Sequence, residues 1–513
     1  MSDITAGAPG TPPAGGLAEL RRELSRLDTV LFLISAMVVV DTIGAVAIGG
    51  AEAFTWLLVM FALFFVPSAL ATAELGAALP DEGGPYVWVR TAFGRLAGSV
   101  TSLLYWAGTP MWLGGSLTVV AIVVWQRFVA GLSGGGLYVF AAAFILAATV
   151  GGVLPLRWGK WIPSSGAIGQ ISLLTFFTIT VGVYGVRHGF HGIAAGDFRP
   201  TSLVFVAVAP VLLYSFVGIE LPASAAEEMV NPRRDIPAAI GRAGLAQLAM
   251  YAIPILAVLV VLPGDAVTSL HGLVDAMRAA FTVYGGSVAP DGTAELTGAG
   301  AAVGTAGALV CIWVLIASGS AWIMGAGRVQ AAACLDGAGP AALGRISART
   351  GVPVRIIALS GAMSLVAAGV DLFATSGDGR RYFSAALTVA IATILLAYLM
   401  IYPAFFVLRR RLPTVERPFR VPGGSGTALA ISTLCTLWCL LAVVCLLWPG
   451  LGTPVPDDAL PGGFEGDRAG FEALVLGPVG VLLVLCVVFY LLGSRRAARL
   501  DARRSVPGVG RRS

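Results

Sequence analysis

Tyr214-Ser215-Phe216-Val217-Gly218-Ile219-Glu220-Leu221-Pro222 stands in the middle of an apolar run, and its reading decides the fold. A glycine, a carboxylate and a proline occupy the place where a continuous lipid-spanning helix belongs. Proline lacks the amide proton that the helical ladder needs, and glycine adopts dihedrals that a helix does not use. An acid at mid-membrane depth costs several kcal/mol unless it faces a cavity or a partner. Irregular backbone survives in a membrane only where it is buried in protein or lines water. The stretch therefore reads as a broken helix at a binding site.

The rest of the chain fits that reading. Its 513 residues are 57% hydrophobic and 12% charged, with a mean hydropathy of +0.86, the composition of a polytopic helical membrane protein. Residues 1–16 are rich in Gly, Pro, Ala and Thr without an apolar core, so no cleaved signal peptide is expected. A net charge of +5 does not indicate nucleic acid, because 32 of the 33 basic residues are Arg placed between apolar runs.

Twelve apolar segments are expected, near 27–50, 53–79, 95–128, 137–156, 161–186, 203–229, 237–262, 300–332, 353–374, 383–408, 427–449 and 471–493. With the N-terminus inside, the cytoplasmic loops hold 26 of the Arg and Lys residues and the outer loops 7. The positive-inside rule then places both termini in the cytoplasm of a multi-pass plasma-membrane protein. Segments 1 and 6 start five spans apart, so two five-helix repeats would be inverted relative to one another. Segment 1 carries a matching interruption, Asp41-Thr42-Ile43-Gly44-Ala45 followed by Gly49-Gly50.

The expected fold is an all-α integral membrane protein of twelve transmembrane helices. It has two inverted five-helix repeats with discontinuous helices 1 and 6 (the LeuT-like arrangement), plus helices 11 and 12. The chain then divides into a flexible cytoplasmic N-terminus (1–26) and a ten-helix core (27–408) with repeats at 27–186 and 203–408. A basic loop (409–426), helices 11 and 12 (427–493) and a basic tail (494–513) follow. In the outer loop 264–298, Leu270, Leu273, Val274, Met277 and Phe281 recur at helical spacing, which reads as an amphipathic helix capping a vestibule or packing on the bundle.

Six cysteines lie in or beside apolar segments with no CxxC pair, and read as small hydrophobes. Cys435 and Cys439 share a helical face. His188, His191 and His271 fall in outer loops and read as solvated side chains. No metal or cofactor is implied, and no catalytic residue set is present. Lys160 sits in Arg157-Trp158-Gly159-Lys160, which is not a phosphate-cradling loop.

Three stretches carry a resemblance. The first is Tyr214 to Glu220 followed by Ala226-Glu227-Glu228-Met229-Val230-Asn231-Pro232-Arg233-Arg234-Asp235-Ile236-Pro237. The second is Ala73-Glu74-Leu75 with Pro80-Asp81-Glu82-Gly83-Gly84-Pro85-Tyr86 and Trp88. The third is Asp336-Gly337-Ala338-Gly339-Pro340. Together they resemble the amino acid–polyamine–organocation transporter superfamily over about residues 27–493, and bacterial glutamate/GABA-type antiporters in the second stretch.

The resemblance implies unwound helices 1 and 6 around a small-molecule substrate. Backbone at Ile43, Gly44 and Ala45 would then hold an α-carboxylate, with Asp41 and Thr42 beside it. Backbone at Ser215, Phe216, Val217 and Gly218 would meet the amino group, Tyr214 would gate, and Trp322 would lie against the substrate's side chain. Asp41 replaces the usual glycine-paired turn, which favours a cationic substrate or a protonated acid. Lys160 is the one lysine and stands at the start of helix 5, so the helix-5 lysine of some proton-coupled relatives is missing.

Glu220 reads as a proton-coupling residue or gate, or else as a hydrogen-bonded acid that pins the break. Pro110 should kink or open segment 3, which would let Thr109 or Trp112 face a cavity. Glu74, Glu227 and Glu228 read as structural or gate ion-pair partners. The expected function is secondary-active amino acid transport, by exchange or proton coupling. The alternatives are a polyamine or organic-amine transporter of the same fold, and an amino acid sensor or partner-dependent subunit. The expected partners are an amino acid or amine, protons and the lipid bilayer.

Overall fold

The computed structural model describes residues 24–38, 43, 46, 49–190, 194–261, 272–289, 293–374, 379–451 and 456–504. It is a helical bundle. In chain order the helices are α1 Arg26–Met37, α2 Gly50–Ala78, α3 Gly84–Phe93, α4 Arg95–Phe128, α5 Gly135–Val153, α6 Trp161–His188 and α7 Ser202–Tyr214. A 3-10 stretch, Leu221–Glu228, leads into α8 Pro232–Val261, α9 Gly272–Phe281 and α10 Gly298–Leu335. The chain continues with α11 Val354–Ala374, α12 Gly379–Arg411, α13 Gly424–Leu447 and α14 Arg468–Arg504. A short hairpin, Gly286–Val288 against Ala294–Leu296, follows α9.

Nine helices among the described residues are long and apolar enough to cross a membrane, α2, α4, α5, α6, α8, α10, α12, α13 and α14. Their outer faces are oily. Val481, Val484, Val487, Leu491 and Leu492 of α14 and Leu437 and Leu440 of α13 are exposed, as lipid contact requires. Segments 27–50 and 203–229 are not continuous helices. α1 stops at Met37, with Val38 extended, and α7 stops at Tyr214. The apolar part of segment 353–374 is shorter than a typical span, at Val354–Val370.

Three further expectations change. Residues 24–26 are held rather than loose. Leu24 bridges to Met229 in parallel, Ser25 caps α1 through a reciprocal bond with Asp28, and Arg26 pairs with Asp235 at 2.8 Å. The C-terminal basic segment begins as helix, because α14 runs on to Arg504. The outer loop holds the hairpin as well as a helix. In α9, Leu273, Val274, Met277 and Phe281 are buried against the bundle; Leu270 lies outside the described residues.

Pro110 does not break α4; the helix opens one turn later, in a π-helical turn over Leu113–Leu117 with Gly115 out of helical dihedrals. The glycine pair explains the place. A Cβ on Gly114 would lie 2.2 Å from the Ser364 carbonyl oxygen, and one on Gly115 2.3 Å from Ala386 Cβ. Only glycines let α11 and α12 approach α4 so closely there.

Candidate functional site

The two interruptions face each other across the bundle centre. Where α1 ends, three carbonyls lose their helical partners, a loss that buried backbone must make good. Side chains from three other helices do so. Trp322 Nε1 of α10 donates to Ala36 O at 2.9 Å. Gln247 Nε2 of α8 and Tyr251 Oη donate to Met37 O at 3.0 and 3.1 Å. Gln170 Nε2 of α6 donates to Val38 O. Gln247 also donates to Ser215 O at 2.5 Å, so one amide ties both interruptions together.

The second interruption is built into its own residues. Gly218 has a φ of +96°, and a Cβ there would sit 3.0 Å from Trp322 Cζ2. Glu220 follows and is buried at 2% exposure. Tyr105 Oη donates to its Oε1 and Tyr398 Oη to its Oε2, each at 2.6 Å. The Gly218 amide in turn donates to Tyr398 Oη at 3.1 Å. Both carboxyl oxygens of Glu220 thus accept a short bond.

Between the interruptions lies a small cavity, bounded by Tyr105, Thr109 and Trp112 of α4, Tyr214 of α7, Trp322 of α10 and Ile394 of α12. The Trp322 ring lies 6.1 Å from Tyr105 and 6.2 Å from Trp112, centroid to centroid. The cavity measures about 20 Å³, room for about one water. An amino acid enters a cavity of this size only when these walls part.

Thr109, Trp112, Tyr214 and Trp322, singled out from sequence, therefore meet at one place. Ser215 contributes its carbonyl to Gln247, and Phe216 packs its ring against Phe61 and Phe65. Val217 and Ile43 are buried. Asp41, Thr42, Gly44 and Ala45 lie outside the described residues. Sequence reasoning missed the tyrosine partners of Glu220 and the capping roles of Gln170, Gln247 and Tyr251. The available signal was a polar side chain standing at depth in an apolar span. Trp112 Nε1, on a residue that bounds the cavity, and Ser116 Oγ, one turn further along α4, are buried without a partner, a loss of about 1–3 kcal/mol each for a group taken out of water.

The bundle end that carries Leu24, Lys160 and Arg328 is tied together by backbone bonds and ion pairs. The Leu24 amide donates to Glu228 O and the Val230 amide to Leu24 O, at 3.1 and 3.2 Å. Lys160 pairs with Asp28 at 3.1 Å, and Arg328 with Glu228 at 3.0 Å in a fully buried pair. Arg409 pairs with Glu74 at 3.1 Å, also buried. Tyr86 and Arg90 both reach Asp336 at 2.7 Å. Glu227 accepts from the Glu82 amide at 3.5 Å, and Arg233 pairs with Glu416 at 2.6 Å. Cys435 and Cys439 are buried free thiols. His188 stacks on Tyr184, while His191 and His271 lie outside the described residues. No group of three metal-ligating side chains occurs among the described residues.

Comparison with known proteins adds the context. Residues 24–460 match the family model described as amino acid permease. The chain is 28% identical over 404 residues to a Legionella pneumophila protein described as an uncharacterised transporter, covering 77% of this chain and 82% of that one. It is 24% identical over 413 residues to the probable agmatine/putrescine antiporter of Lactococcus lactis, covering 79% and 84%. An uncharacterised transporter of Mycobacterium tuberculosis is 27% identical over 361 residues, covering 69% and 75%.

Proposed function

The chain belongs to the amino acid permease family, and on that premise we propose that it moves an amino acid or organic amine across the plasma membrane by alternating access. The family is one of membrane transporters, not enzymes. In the proposed arrangement α1, α7 with its 3-10 continuation, and α11 complete twelve spans with the nine long helices. The spans form two inverted five-helix repeats followed by α13 and α14, and both termini face the cytoplasm.

The observation that carries the reading is the aromatic-walled cavity between two interrupted helices. Ring faces of Trp322, Tyr214 and Tyr105 suit an ammonium group, worth about 0.5–2 kcal/mol for each well-placed cation–π contact. Free backbone at a helix interruption suits a carboxylate or ammonium. Substrate would part the cavity walls from one side, and release would require the charged inner end to unzip. The relative described as an agmatine/putrescine antiporter supports exchange, and supports amines beside amino acids as cargo.

Counterflow in proteoliposomes containing only this chain tests the reading, using labelled amino acids and amines with and without a pH gradient. Uptake driven by unlabelled internal substrate and indifferent to the gradient is the result expected of an exchanger. Uptake that follows the gradient and disappears in Glu220→Gln would assign proton coupling to Glu220 instead. No uptake of any compound would overturn transport and leave a sensor or a subunit awaiting a partner.

A further inference from the structure

We propose that Trp112 and Ser116 form a polar subsite that selects substrates carrying a hydrogen-bond acceptor at the end remote from their ammonium group. The proposal deepens the transport reading and rests on it. Trp112 is 2% exposed and Ser116 is fully buried. Trp112 bounds the central cavity, and Ser116 stands one turn further along α4, inside the π-helical turn. Neither Trp112 Nε1 nor Ser116 Oγ has a hydrogen-bond partner. The indoles of Trp125 and Trp438 also lack partners, but they are only partly buried and do not bound the cavity.

An indole N–H donates and cannot accept. Its complement is therefore a carboxylate, carbonyl or hydroxyl oxygen, never an ammonium. The other polar aromatics here are already committed, Trp322 Nε1 to Ala36 O and Tyr105 Oη to Glu220. These two offer the substrate their ring faces, which suit a cation. Of the indole and phenol groups of Trp112, Trp322 and Tyr105, that of Trp112 alone is uncommitted. Among the described residues bounding the cavity none is charged. The predicted cargo has one cationic end and one oxygen acceptor end.

Equilibrium binding to the purified full chain in nanodiscs tests this, with flux measured in parallel. One probe series is 4-aminobutanoate, 4-amino-1-butanol, butylamine and 1,4-diaminobutane; the other is glutamine, norleucine and ornithine. The acceptor-ended members are expected to bind at least about tenfold tighter than their hydrocarbon- or amine-ended counterparts. Trp112→Phe, which deletes the N–H together with the indole's five-membered ring, should erase that margin, so that acceptor-ended and hydrocarbon-ended probes bind alike. Ser116→Ala should narrow the margin in the same direction.

Equal or tighter binding of the diamine or the hydrocarbon-ended probes overturns the subsite, and so does a margin that survives both substitutions. If those probes also exchange across the membrane, transport stands while the subsite falls. Acceptor-selective binding without flux leaves the subsite standing and sinks transport. Binding of no probe, with no flux, sinks both.

Discussion

The interruption after α1 and the interruption after α7 do the same job by opposite means. After α7 the chain breaks itself, through Gly218 in the left-handed region and Pro222 at the start of the 3-10 stretch. After α1 the last described residue, Val38, is merely extended. Its freed carbonyls are held from outside by Gln170, Gln247, Tyr251 and Trp322. One break carries its own glycine and proline; the described end of the other is capped by its neighbours. A locally encoded break resists motion elsewhere in the bundle. A cap supplied by neighbours can tighten or loosen as α6, α8 and α10 move, which would suit the proposed alternating access.

The sharpest way to break that contrast is Gly218→Ala. A side chain in the left-handed region costs about 1–2 kcal/mol, and crowding against Trp322 adds about 1–3 kcal/mol. Thermal unfolding in detergent should therefore fall by several degrees, with substrate binding lost through displacement of Trp322. Unchanged stability would mean that this break is also set by its surroundings.

Gln247→Leu probes the other side with a smaller expected effect. Ser215 O would lose the donor shown here, while Met37 O would keep Tyr251. The loss should be about 1–3 kcal/mol for one stranded buried acceptor. Because the stranded group belongs to α7's end while the slackened one belongs to α1, cysteine accessibility near Met37 should rise in the variant. A loss below about 0.5 kcal/mol, the range of an indifferent surface change, would show that the Gln247 bonds contribute little to either interruption.

The same contrast explains what was legible in the sequence. The α7 interruption could be read because glycine, acid and proline act on the backbone within a few residues of themselves. The α1 interruption was placed at Asp41–Ala45, of which only Ile43 is described, and helix α1 ends ahead of that stretch, at Met37. The groups that end it come from helices more than a hundred residues away, and no local pattern records such a pairing. Pro110 misled for a related reason. A proline marks a weak point in a helix, but α4 opens where Gly114 and Gly115 let α11 and α12 press in. The convergence of Thr109, Trp112, Tyr214 and Trp322 was readable as a set of candidates. The partners of Glu220 were not, since Tyr105 and Tyr398 look like ordinary interior aromatics until the fold aims both at one carboxylate.

The smallest effect concerns the proposed cytoplasmic end, where the closure is electrostatic rather than structural. Glu82, in the turn before α3, is half-buried over the whole residue. Burial of its carboxyl still pushes its pKa from an ordinary 4.5 up to about 8. Arg328 opposes that rise, and Glu228 and Glu227 add to it. The sign follows directly. Below about pH 4.5 the residue is protonated whether this end is shut or open, and above about pH 8 it is ionised in both. Between those limits the shut form holds a proton that the solvated form releases. Raising pH through this window therefore penalises closure, and opening expels a proton.

A cysteine placed at Ala225, beside the small inner cavity that Asp28, Lys160 and Arg328 also bound, reports the opening. Its labelling by a thiol reagent from the proposed cytoplasmic side should accelerate as pH rises from 5 to 8. Glu82→Gln should flatten that dependence and hold the rate near its low-pH value, because an amide mimics the protonated acid. An undiminished slope in Glu82→Gln would move the pH dependence to another group and leave the inner closure to its fixed ion pairs.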